Sequence, residues 1–244
     1  MGAKFNGSSQ RRDWVPASFP FSATPFTLAC WALPNGALAD QVLMSIGDTG
    51  SGAYHSIRTT QTIGNIILRT FGTSSQTSAS GVNALAGTWY HHGGVFTSDS
   101  SRLCYANGVA GTANTNSSTL TENRLTVGVS GDSTPFGFTH WTVAECGAWD
   151  VALTAEEMAV LAAGYSPRFV RPQNLLFYAP FVRNQVELMD GTAFTGTAPT
   201  VGEHPRIIYP VQRSLWGAVP VAGGGLSIPV AMSSYRRHHL GAMH

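Results

Sequence analysis

The chain has 244 residues, with 14 Lys+Arg against 13 Asp+Glu and only 11% charged residues. A typical soluble domain is about 25% charged, so Ser, Thr, Asn, Gln and Gly must cover much of this surface. A formal net charge of +1 offers no global field to nucleic acid or an anionic membrane, and 43% hydrophobic residues exclude disorder throughout.

Lys4 is the one lysine, and the other 13 basic residues are Arg. Arg pairs bidentately and stacks on aromatics, which suits contacts between protein surfaces. Arg11 and Arg12 are followed by no apolar run, so no signal peptide is expected and synthesis in the cytosol follows. Gly2 is followed by Asn6 where a myristoylation signal needs Ser or Thr. No apolar run approaches 18 residues, so no transmembrane helix is expected.

Short β-rich runs then follow one another, separated by Gly, Ser, Asn and Asp clusters. They predict strands at Phe26–Trp31, Gln41–Ile46, Tyr54–Thr59, Asn65–Phe71, Trp89–Thr97, Arg102–Ala106, Arg124–Val129 and Phe138–Trp149. Phe26, Leu28 and Cys30 alternate as a strand with one inward face does. The Ser/Thr-rich stretches 72–81 and 110–121 read as solvated loops. Asn107-Gly108 suits a type I′ hairpin turn. One helix is signalled: Thr154 and Glu157 form a capping box ahead of Met158, Val160 and Leu161, and Gly164 stops it. Cys30, Cys104 and Cys146 lack CxxC spacing and read as small buried apolar side chains. Many strands with one short helix predict an all-β, two-sheet antiparallel sandwich.

The order of short motifs carries a resemblance. It runs Phe26-Thr27-Leu28-Ala29-Cys30-Trp31, Trp89-Tyr90-His91-His92, Leu103-Cys104-Tyr105-Ala106-Asn107-Gly108, and Ala144-Glu145 through Trp149, Ala152-Leu153-Thr154 and Glu157. This resembles the laminin-G-like members of the concanavalin A-like lectin/glucanase superfamily over about residues 4–164. The resemblance implies a jelly roll with one curved sheet, and it implies that Trp31 and Trp89 are core aromatics. Members of that superfamily bind calcium, bind glycans, cleave glucans or do none of these.

Each activity needs its own residues. Glucan hydrolysis needs two flanking carboxylates. Glu145 stands alone, and Glu187 and Asp190 lack a third acid, so no enzyme is expected. Asp48 and Asp132 sit in Gly-rich loops and are the calcium candidates, but no acid cluster accompanies them and both also read as turn residues. No other cofactor is signalled. His91 and His92 are adjacent, so they point to opposite faces of a strand and cannot share a metal.

Composition shifts after Gly164. Eight of the 13 prolines follow it, with 7 Arg and 3 acids in residues 161–244, against 7 basic and 10 acidic residues in 1–160. Proline at that density prevents helices and central strands. The segment is nevertheless apolar, so it must lie on the sandwich or on another molecule. The division expected is a sandwich at 1–164 and an extended Pro/Arg-rich docking arm at 165–244. Arg168, Arg171, Phe177, Tyr178, Arg206, Tyr209, Arg213, Trp216, Tyr235 and Arg236 are its docking candidates.

Ser166-Pro167-Arg168, Arg171-Pro172-Gln173-Asn174-Leu175 and Glu203-His204-Pro205-Arg206 resemble extensions after such domains in bacteriophage virion proteins. The expected function is therefore a non-enzymatic capsid decoration (cement) protein of a virion. Its expected partners are a major capsid protein or other virion proteins and further copies of itself, with no nucleic acid and no membrane. The alternative is a glycan-binding module of a tail fibre or a bacterial surface protein.

Overall fold

The computed structural model describes residues 2–21, 23–36, 40–60, 64–72, 75–118, 122–182 and 187–209. Two antiparallel sheets face each other. The strands are β1 (Gly2–Lys4), β2 (Arg12–Trp14), β3 (Phe26–Leu33), β4 (Val42–Gly47), β5 (Tyr54–Thr59), β6 (Asn65–Phe71) and β7 (Ser75–Asn83). They continue with β8 (Tyr90–Ser98), β9 (Ser101–Ala106), β10 (Val109–Ala110), β11 (Arg124–Val127), β12 (Thr142–Trp149), β13 (Leu175–Ala179) and β14 (Thr200–Gly202). One sheet runs β10-β9-β8-β3-β12-β1-β14, with β13 also on β12. The other runs β2-β11-β4-β5-β6-β7. This is the all-β jelly-roll sandwich expected from the sequence.

Between the sheets lies an aromatic and aliphatic core. Phe26, Leu28 and Cys30 point into it from β3, and Met44, Ile46, Ile57, Leu68, Leu125 and Val127 meet them from the six-stranded sheet. Phe26 and Phe96 stack at 4.4 Å. Trp14, Trp141 and Trp149 are fully buried. Trp31 and Trp89 are only half-buried, which corrects the expectation that they are core residues. The reason for Trp31 is parity: if Phe26, Leu28 and Cys30 face inward, Trp31 must face outward. There it meets His91, ring centroids 5.5 Å apart.

Helix α1 (Ala155–Ala162) packs on the outer face of the eight-stranded sheet. Its capping box is formed: Glu157 N donates to Thr154 Oγ1 at 3.3 Å, and Thr154 N donates to Glu157 Oε2 at 2.8 Å. Met158 and Leu161 are its buried residues. Gly93 on β8 makes that approach feasible, because a Cβ there would lie 1.9 Å from Met158 Cε. Asn107 and Gly108 both adopt positive φ in the β9–β10 hairpin, as the turn type requires.

Two sequence expectations change. Residues 75–83 form strand β7 rather than a loop. β7 is the edge of its sheet, where a polar Ser/Thr sequence can pair without burying both faces. The arm does not begin at residue 165 either. β13 continues the eight-stranded sheet beside β12, and β14 pairs with β1. Phe177 lies 5.3 Å from Trp14, centroid to centroid, inside the main core. The described residues through Tyr209 belong to one compact unit. The apolar residues of 165–209 thus find their burial largely on the chain's own sandwich.

Candidate functional site

β12 carries one extra residue against β3 between Ala144 and Gly147, a β-bulge. Glu145 sits in it with φ of 53° and is 2% exposed. It is not alone, as the sequence suggested. Tyr178 Oη donates to Oε2 at 2.7 Å, and Tyr209 Oη donates to Oε1 at 2.7 Å. His204 Nε2 lies 3.2 Å from Oε1. Burial first, then the Glu145 charge, pushes both tyrosine hydroxyls well above their ordinary pKa. Among the described residues, each of these side-chain partners comes from the segment after Gly164. Glu145 is therefore a structural anchor for that segment, closed to a substrate.

The docking candidates separate on inspection. Phe177 and Tyr178 are buried in the chain's own clusters, so they are withdrawn from a partner surface. Arg171 donates from Nε to Glu157 Oε1 at 2.6 Å and locks against helix α1. Arg168, Arg206 and Tyr209 are exposed. Around them lie Tyr165, Phe169 and Ile208, none of them among the docking candidates, at 38%, 44% and 45% exposure. Ser166 N donates to Ile208 O at 2.9 Å, which brings the two stretches together. Arg213, Trp216, Tyr235 and Arg236 lie outside the described residues.

The calcium candidates sit on adjoining loops, since Ser133 N donates to Ser51 O at 2.7 Å. Each carboxylate serves its own surroundings. Asp48 Oδ1 accepts from Gly50 N at 2.9 Å and Asn123 Nδ2 at 2.8 Å. Asp132 Oδ1 accepts from Ser130 Oγ at 3.0 Å. Among the described residues no group of three His, Cys, Asp or Glu is placed to hold a metal.

The outward face of the six-stranded sheet is different. His55 packs on core residues Phe26 and Phe96, so alternation turns its neighbours Tyr54, Ser56 and Arg58 outward. Register sets Phe71, Arg69 and Ile67 of β6 opposite them, and Thr77 of β7 opposite Arg69. The stretch 128–137 folds over the β11–β4 half of this face. Gly131 N donates to Ser45 Oγ at 3.1 Å, and Arg124 Nε donates to Gly131 O at 3.0 Å. Gly47 permits that approach, because a Cβ there would lie 2.4 Å from the Gly131 carbonyl. Phe136 ends up under Arg58, 5.1 Å from its guanidinium carbon.

The β5–β6–β7 half keeps an opening. A pocket of about 240 Å³ is lined by Arg58, Thr59, Thr60, Ile67, Arg69, Ser75 and Thr77. Arg58 is buried and held by Asp40, Tyr54 Oη at 3.3 Å and Thr59 O at 3.4 Å. Burial, with the charge of Arg69 behind it, pushes its pKa down to about 10. Neither Arg was singled out in the sequence. The available signal was an Arg on each strand of the hairpin-like pair at 54–71. Register and the covering loop were needed to show that they converge. A wider groove of about 730 Å³ runs past Lys4, Asn35, Gly36, Gly87, Thr142 and Glu203. Small residues and backbone dominate its lining, and its single Lys and Glu offset each other in charge.

Two facing antiparallel sheets with one helix packed on the outer face of the larger sheet define a jelly-roll domain. The laminin-G-type family described as the concanavalin A-like lectin/glucanases superfamily matches residues 6–159. The chain belongs to that superfamily. Its fold is similar to a SAP-like pentraxin from Limulus polyphemus, a native heptamer. The TM-score is 0.51 at 15% identity, over 78% of this chain and 92% of that one. It is also similar to a protein from Bacteroides ovatus ATCC 8483 provisionally described as carbohydrate binding. There the TM-score is 0.53 at 17% identity, over 81% of this chain and 58% of that one. No curated protein sequence matches the chain.

Proposed function

We propose that this chain is a non-enzymatic binding module of the lectin type, with a saccharide as its ligand. One observation carries the reading: the Arg69 guanidinium and the hydroxyl side chains of Thr60, Ser75 and Thr77 line a small pocket in an outward sheet face, with the buried Arg58 behind them. Saccharides are recognised by such convergent polar groups. That lining holds no carboxylate, whereas glycoside hydrolysis needs a pair. From the Bacteroides ovatus neighbour we take over only the class of ligand.

The finer reading is a decoration protein of a virion, docked through residues 210–244 together with the exposed Arg168, Arg206 and Tyr209. Residues 210–244 contain three Arg and no acid, with Trp216, Leu226, Ile228 and Tyr235 among them. Arg and aromatic side chains are the composition of protein interfaces, which supports docking. The test has two arms. The full chain on an array of neutral and acidic glycans should show sub-millimolar, sugar-specific binding. Binding to no saccharide overturns the lectin reading. A chain ended at Tyr209 should fail to bind particles assembled without the protein, and unchanged binding overturns the docking reading.

A further inference from the structure

We infer that the pocket between β5, β6 and β7 is a subsite for an acidic sugar, with Arg69 receiving its carboxylate. The inference rests on the lectin reading and goes beyond it by naming the ligand's charge. Three observations converge on Arg69. Its Nε is buried and has no hydrogen-bond partner. Among the described residues no carboxylate lies within ion-pair distance of it, whereas Arg58 beside it is matched by Asp40. Its guanidinium carbon lies 5.5 Å from the centre of the Phe71 ring, a cation–π contact that holds the side chain at the pocket wall.

The chemistry of the wall completes the case. Two like charges share the pocket, and Asp40 offsets one of them. A neutral sugar would meet the hydroxyls of Thr60, Ser75 and Thr77 but would leave the Arg69 guanidinium unpaired. A carboxylate matches a guanidinium in shape and charge, taking two parallel hydrogen bonds. At about 240 Å³ the pocket is smaller than the sites of drug-sized ligands, so it suits one terminal sugar ring rather than a chain.

The experiment is calorimetric titration of the full chain with uronic-acid-terminated disaccharides, their methyl esters, and neutral and sulfated counterparts. The acid should bind about tenfold tighter than its ester, the weight of one charge-assisted hydrogen-bonded pair. Arg69→Gln should abolish that difference, so that acid and ester bind alike. Arg69→Lys should restore part of it. Equal binding of acid and ester overturns the inference, as does a difference that survives Arg69→Gln or a preference for the sulfated sugar. In each of these outcomes saccharide is still bound and the lectin reading stands. Binding of no sugar in the panel or on the glycan array overturns both.

Discussion

Tyr209 donates its hydroxyl hydrogen to Oε1 of Glu145 at 2.7 Å, joining residues 64 positions apart. Tyr178 takes the other carboxylate oxygen. A buried carboxylate without donors would be costly, so the bulge in β12 and the segment that follows the helix stabilise each other. Tyr209→Phe should therefore lower stability by about 1–2 kcal/mol in urea unfolding. It should also speed proteolysis around residues 204–209. A variant as stable and as resistant as the parent would show that the contact adds nothing.

Where the chain can be cut follows from the same arrangement. A chain ended at Tyr209 should unfold cooperatively with a melting temperature near that of the parent. A chain ended at Gly164 loses β13 and β14, along with Phe177 beside Trp14, and should be insoluble or molten. Near-ultraviolet circular dichroism of the two truncations distinguishes them, and a folded 1–164 chain would sink the claim.

Thr154→Ala removes the Oγ1 acceptor of the helix cap and should cost about 1 kcal/mol. Arg171 pairs with the same Glu157, so Arg171→Ala and Thr154→Ala should be non-additive in a double-mutant cycle. Simple additivity would separate cap and ion pair.

Gly93→Ala drives a methyl group into Met158 and should destabilise by about 1–3 kcal/mol. In the Met158→Ala background the same change should cost much less, because the clashing Cε is gone. An equal cost in both backgrounds would place the strain in the backbone.

His91 and His92 set an acid limit. Burial pushes both imidazoles down to about 3, against about 6.5 for a free histidine. Below 6.5 the unfolded chain takes up protons that the folded chain refuses. These two residues therefore leave stability intact above 6.5, and it falls as pH drops toward 3, by about 1.4 kcal/mol per unit for each. His92→Leu should flatten the pH dependence of urea unfolding between 6 and 4 by about one proton's worth. An unchanged slope would show that His92 does not titrate differently in the two states.

Much of the sandwich was legible in the chain. Tyr54–Thr59 and Asn65–Phe71 were predicted with the observed bounds, because apolar runs and turn clusters are local signals. The helix cap was legible for the same reason. β7 was not, since Ser75–Asn83 spells a loop by composition and is a strand only because β6 offers it an edge. Trp31 was misplaced because the resemblance overrode its parity with Phe26 and Leu28. Phe177 and Tyr178 were assigned to a partner because proline density suggested an arm. Their real partner, the free flank of β12, is a feature of the folded sheet.

The sequence by itself determined the fold class, the capped helix, the Asn107-Gly108 hairpin and the family, all of which rest on spacings of a few residues. Tertiary structure alone decided three things. It made Glu145 an anchor rather than a solitary acid, it carried the sandwich through to Tyr209, and it set Arg58 and Arg69 around one pocket. Each depends on which strands become neighbours and in what register. That choice is made by burying the common core, and no local stretch of sequence records it.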